Sequence, residues 1–142
     1  FKNRAPSFLN FISLEYPGRG GRIKEPLLSN TGALVDDLYK AIENLVDDSD
    51  YVIYGHSLGG LMTYLLTRKL IENGHRQPLH LFITGTTGPS SLSRIERKRH
   101  LLPHAEFIQE LKDLKGMPDE IFQSDEMLEY CEPILRSDFM AS

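Results

Sequence analysis

Ten residues, Tyr51–Gly60 (YVIYGHSLGG), constrain this chain more than any others. An apolar run stops at Gly55, a serine follows at position 57, and an apolar helical pattern starts at Leu58 with two more glycines at 59 and 60. A strand that runs into a helix needs only a polar loop, so the glycines imply that two backbones pass unusually close. GHSLG fits G-x-S-x-G, and with a strand before it and a helix after it the motif has the context of a nucleophile elbow. In that geometry Ser57 stands on a strained turn above the C-terminal edge of a parallel sheet, where open α/β folds bind ligands. Gly55 and Gly59 are then expected to be small so that the turn can close. The N–H of Leu58, at the positive end of the following helix, is expected to donate to a developing oxyanion. The bland alternative is a capping serine in an ordinary strand-to-helix loop.

The flanking patterns agree with an α/β unit. Phe8–Leu14 (FLNFISL) reads as a short buried strand, and Tyr51–Tyr54 and Leu79–Thr84 (LHLFIT) as a second and a third strand. Between them, Thr31–Val46 places Leu34, Val35, Leu38, Ile42, Leu45 and Val46 at helical spacing, with Ser29 or Asn30 available as a cap. Leu58–Asn73 carries a second apolar stripe that ends at Gly74, a suitable left-handed cap. The order strand, helix, strand, helix, strand calls for a parallel sheet with crossover helices. Beyond Ser93 the pattern turns helical: Ala105–Leu114, a turn at Pro118–Phe122, and Asp125–Phe139 with Pro133 inside it.

Composition narrows the function classes. A formal net charge of −4 lacks the basic surplus that phosphate neutralisation requires, which argues against nucleic acid as the general partner. With Cys131 as the single cysteine there is no disulfide framework, and a cytoplasmic location is expected. No apolar run approaches the roughly 20 residues needed to cross a bilayer, so no membrane association is expected.

Five segments in order, LEYPGRGGR, YGHSLGGLMTYLLTRKL, LHLFITG, GMPDEIF and LRSDF, resemble the type II (editing) thioesterases that accompany non-ribosomal peptide and polyketide synthetases in gramicidin- and surfactin-type clusters. The resemblance implies an α/β-hydrolase, represented here by part of its parallel sheet. Residues 1–93 would be a core portion with the elbow, and residues 94–142 a helical lid of the same domain. It further implies a role in antibiotic biosynthesis. The enzyme would clear acyl groups from the phosphopantetheine arm of a peptidyl or acyl carrier protein through a serine acyl-enzyme. That arm belongs to the substrate, so neither cofactor nor metal is expected, and the protein is expected to be a monomer. PHAEF places His104 where the family usually has aspartate.

The family also has a first strand with a glycine-rich loop, and later strands that carry a catalytic aspartate and histidine. None of these is found among the present residues. His56 should leave the turn away from its neighbour Ser57, His80 is mid-strand, and His75 lies about 25 Å down the helix at 1.5 Å per residue. His100 and His104 fall in the lid segment. None is assigned as the base, and Asp113, Asp119, Asp125 and Asp138 read as solvated helix or cap residues. The 142 residues alone are therefore expected not to hydrolyse thioesters. RIERKRH, Arg94–His100, reads as a solvated face, or as a contact for the acidic surface of a carrier protein or for the pantetheine phosphate. Cys131 reads as a buried small hydrophobe. Two readings compete with the thioesterase: a carboxylesterase or medium-chain acyl hydrolase of the same fold, and a non-catalytic carrier-binding remnant.

Overall fold

The computed structural model describes residues 5–91 and 98–142. Helix α1 spans Thr31–Ile42. Its start is conventional: Asn30 is extended at φ −103°, and its Oδ1 accepts from the Ala33 amide at 3.0 Å. The helix ends earlier than its apolar spacing suggests. Past Glu43 the chain continues in turns through Asn44 and Asp47, poor helix formers that compete for backbone hydrogen bonds. Val46 still reaches the core, whereas Leu45 turns to solvent.

Strand β1, Val52–His56, leads through Ser57 into α2, Leu58–Glu72, and β2 follows at His80–Thr84. The two strands pair in parallel from Val52 opposite His80 to His56 opposite Thr84. Helix α2 ends at Gly74, whose φ of +80° is the left-handed cap expected there. Leu34, Val35, Leu38, Ile42 and Val46 interlock with Leu61, Met62, Leu66 and Leu70 of α2 in one buried cluster. A fully buried leucine such as Leu34 or Leu70 contributes about 1.5–3 kcal/mol by leaving water.

The expected strand at Phe8–Leu14 does not form. The segment runs irregularly and exposed, with Phe8 83% and Ile12 51% accessible. Apolar content makes a segment fit for a sheet, but a strand exists only with a hydrogen-bonded neighbour. Among the described residues the sheet contains β1 and β2 alone.

The tail is helical, as its sequence pattern implies. A 3₁₀ turn at Arg99–Leu101 precedes α3, His104–Leu114, and a second at Asp119–Gln123 precedes α4, Asp125–Ala141. Ser124 begins α4 as a working cap, accepting from the Met127 amide at 3.3 Å. Phe107, Ile108 and Leu111 form a separate apolar cluster with Leu102, Met117, Phe122, Leu128, Leu135 and Phe139. Arg136 fastens it, donating to the carbonyls of His100 at 2.8 Å and Leu102 at 2.9 Å, with its guanidinium 4.1 Å from the Phe107 ring centroid. The division at residues 93 and 94 lies outside the described residues, as does most of RIERKRH. Of the latter, Arg99 is engaged by Glu110 at 2.5 Å. Cys131 is half-buried rather than buried.

Candidate active site

The junction of β1 and α2 is a tightly constrained stretch of backbone. Ser57 has φ 54° and ψ −117°, a conformation that side-chain-bearing residues avoid and that costs on the order of 1–3 kcal/mol. Three backbone hydrogen bonds hold it there. The Ser57 amide donates to the Thr84 carbonyl at the end of β2 at 2.9 Å, and the Ser57 carbonyl accepts from the amides of Gly60 at 3.0 Å and Leu61 at 3.4 Å. The side chain is exposed and makes no capping bond to the helix it precedes. The hydroxyl is thus presented to solvent on a fixed backbone.

Close approach explains two of the glycines. A Cβ on Gly55 would lie 2.1 Å from the Gly59 carbonyl oxygen and 2.4 Å from Thr63 Oγ1, where no atom fits. One on Gly60 would press the Cγ2 atoms of Thr86 at 2.8 Å and Ile83 at 3.0 Å. Gly59 corrects the sequence reading. Its backbone is what crowds Gly55, but its own Cβ would meet only the Tyr16 hydroxyl, at an ordinary 3.9 Å. The steric requirement falls on Gly55 and Gly60.

Leu58 is the first residue of α2, and its amide has no carbonyl one turn earlier within the helix to accept it. An N–H in that position, at the positive end of the helix macrodipole, suits an incoming anion. Beside it, burial and the nearby Asp138 carboxylate push the Tyr16 hydroxyl up to about 12, so it keeps its proton across the physiological range.

Two residues of the site escaped the sequence reading. Thr84 serves it twice: its carbonyl takes the Ser57 amide, and its Oγ1 lies 3.0 Å from His56 Nδ1. Gly85, at φ +63°, makes room for the same imidazole, since a Cβ there would lie 2.3 Å from His56 Cε1. The signal was present as Thr-Gly directly after an apolar strand, in register with His56 and Ser57.

Among the described residues no histidine is hydrogen-bonded to the Ser57 hydroxyl. His56 is turned to Thr84. His75 is held between Tyr39 and Asp47, each at 2.8 Å. His80 packs on Phe82 with centroids 4.6 Å apart, and His104 Nδ1 pairs with Glu132 at 2.6 Å. His100 Nδ1 is buried in the tail, without a partner among the described residues. Of the aspartates, Asp113 accepts from Gln109 at 2.9 Å, and Asp119 and Asp125 open helical turns. Asp138 departs from the expectation of a solvated carboxylate. It is half-buried and bound to Arg19 at 2.7 Å, because Arg19 projects from the loop after residue 18 onto α4.

A parallel strand pair, a crossover helix and a serine at positive φ between them form an α/β unit with the geometry of a nucleophile elbow. The chain belongs to the thioesterase domain family, which matches residues 1–142. It is 34% identical over 134 residues to the gramicidin S biosynthesis protein GrsT of Aneurinibacillus migulanus, covering 94% of this chain and 52% of that protein. Over 136 residues it is 30% identical to the medium-chain S-acyl fatty acid synthase thioesterase of Homo sapiens, covering 92% of this chain and 49% of that one. ClbQ, from the colibactin NRPS/PKS pathway, superimposes with a TM-score of 0.81 at 36% identity, over 90% of this chain and 53% of its own. These likenesses bear out the resemblance carried by the five sequence segments. The chain spans about half the length of the relatives it matches.

Proposed function

We propose that this chain is the nucleophile-bearing part of an α/β-hydrolase thioesterase that removes acyl groups from the phosphopantetheine arm of carrier proteins, editing mischarged peptide or polyketide synthetases. The observation that carries the reading is Ser57: a positive φ maintained by three backbone bonds, with a hydroxyl that caps nothing. Ser57 Oγ gives its proton to a general base and attacks the thioester carbonyl carbon, and the carbonyl oxygen takes the negative charge against the Leu58 N–H. Collapse expels the pantetheine thiolate, to which the protonated base returns that proton. Water then cleaves the acyl-serine ester.

The general base is supplied from outside these residues, in keeping with the engagement of His56, His75 and His104 elsewhere and with relatives about twice as long. Among the described residues no histidine is bonded to Ser57, and loss of one oxyanion donor costs about 3 kcal/mol of transition-state stabilisation, so the 142 residues by themselves are expected not to turn over. Residues 1–93 act as the core portion and 94–142 as the lid. Phosphopantetheine arrives with the carrier, so the enzyme needs no cofactor of its own. Among the described residues no helix is long and apolar enough to cross a membrane, and the proposed setting is a cytoplasmic monomer beside its synthetase.

The deciding assay uses the gene product that carries these residues and compares an acyl-phosphopantetheinyl carrier with the matching acyl-N-acetylcysteamine. Preference for the carrier, with loss of about 10³-fold or more in Ser57→Ala, supports the proposal. Equal efficiency on both substrates favours the second reading, a medium-chain acyl hydrolase, to which the human relative's similarity lends weight. Full turnover by Ser57→Ala refutes both.

A further inference from the structure

The tail and the sheet-bearing half each have a core, and they meet through one end of α4. Ala141 is the tail residue buried in the sheet-side cluster, and its carbonyl accepts from Thr31 Oγ1 at 2.8 Å. The other charged pairs of the tail are internal to it: Arg99 with Glu110, and His104 and Arg136 with Glu132. Among the described residues only Arg19 and Asp138, 2.7 Å apart, form an ion pair across the two halves.

Arg19 also reaches toward the elbow. Its guanidinium lies 5.2 Å from the Tyr16 ring centroid, and the Tyr16 hydroxyl stands 3.9 Å from the Cβ position of Gly59. Three side chains thus connect α4 to the first turn after Ser57. The pair is not saturated: Arg19 Nε and Nη2, Asp138 Oδ1 and Ser137 Oγ are buried without partners among the described residues. Buried polar groups left unbonded offset the attraction of the pair, so this contact fixes a position more than it adds stability. Four residues before Ser137, Pro133 removes a main-chain hydrogen bond from α4, the usual place for a helix to bend.

We propose that the Arg19–Asp138 pair is a clasp that sets where α4 stands beside the elbow, and thereby how bulky an acyl donor can reach Ser57. Both are positioning residues, since neither touches the serine. The proposal rests on Ser57 being the nucleophile. Its test is the rate of Ser57 modification by a small phosphonofluoridate and by one carrying a long biotinylated arm. The proteins compared are wild type, Arg19→Gln, Asp138→Asn and the exchanged pair Arg19→Asp/Asp138→Arg, all in the gene product that carries these residues.

Each single variant should raise the ratio of bulky to small reagent rates by about tenfold, and the exchange should return it to within about threefold of wild type. An unchanged ratio in the single variants, or an exchange that restores nothing, overturns the proposal. Should a single variant fail to fold, Arg19→Lys keeps the charge without the guanidinium fork, and the same two outcomes apply. Amide hydrogen exchange over residues 134–141 reads the clasp without Ser57: it accelerates in Asp138→Asn if the clasp exists and stays unchanged if it does not. A wild-type protein that neither reagent labels defeats the nucleophile reading, and hydrogen exchange then decides the clasp by itself.

Discussion

Among the described residues two serines stand directly before helices, and they do opposite things. Ser124 precedes α4 in an extended conformation, φ −122°, and its hydroxyl accepts from the Met127 amide. Ser57 precedes α2 at φ 54°, and its hydroxyl makes no capping bond. The first arrangement stabilises a helix at no conformational cost. The second forgoes the cap and adds backbone strain, which the surrounding glycines and the Thr84 carbonyl make tolerable. The same residue type in the same position is a cap in one half of the chain and the proposed nucleophile in the other. The backbone decides which.

Substitutions can break or sharpen that contrast. The largest effect belongs to Gly55→Val, whose side chain has no room against the Gly59 carbonyl; the protein should lose more than about 3 kcal/mol or fail to fold, as read by urea unfolding. Gly60→Ala should cost about 1–3 kcal/mol, since Thr86 and Ile83 side chains must shift. In the same assay Ser124→Ala should lose about 1 kcal/mol of capping, while Ser57→Ala changes stability by less than about 0.5 kcal/mol. Equal losses for the two serines would erase the distinction between them. Gly59→Ala should stay within about 1 kcal/mol of wild type and on the stabilising side, because a helix start gains an alanine without a clash. A severe loss there would return the steric requirement to Gly59.

The smallest effect is one of pH. Hydrogen bonds from Arg22 hold the Asp37 carboxyl below its ordinary value, so the folded state binds this proton less readily than the unfolded chain does. Its contribution is present above the ordinary aspartate value near 4 and is lost as pH falls through the lower folded value. Partial exposure keeps it below about 1 kcal/mol. Asp37→Asn should flatten that part of the acid unfolding curve, and an unaltered curve would remove the pair from the account.

What the sequence made legible was local. The α2 stripe, its Gly74 terminus and the strand–serine–helix order all follow from periodicity and turn chemistry within one short window. What it missed depends on partners distant along the chain. Phe8–Leu14 has strand composition but no ladder neighbour among the described residues, and Thr84 and Gly85 join the site only through the parallel register of β2 with β1. Asp138 looked solvated until Arg19, 119 residues earlier, was placed beside it. Glycine roles were ambiguous for a related reason: G-x-S-x-G shows which residues are small, whereas only the packed backbone shows that Gly60, rather than Gly59, has neighbours to avoid.

The central claim is that Ser57 carries a hydroxyl free for acyl transfer while Ser124 does not. Peptide mass spectrometry of the native gene product after treatment with a small phosphonofluoridate tests it most directly. The account predicts a single adduct on the peptide containing Ser57, absent from Ser57→Ala, with Ser124 unmodified. An adduct elsewhere, or labelling that persists in Ser57→Ala, would contradict it.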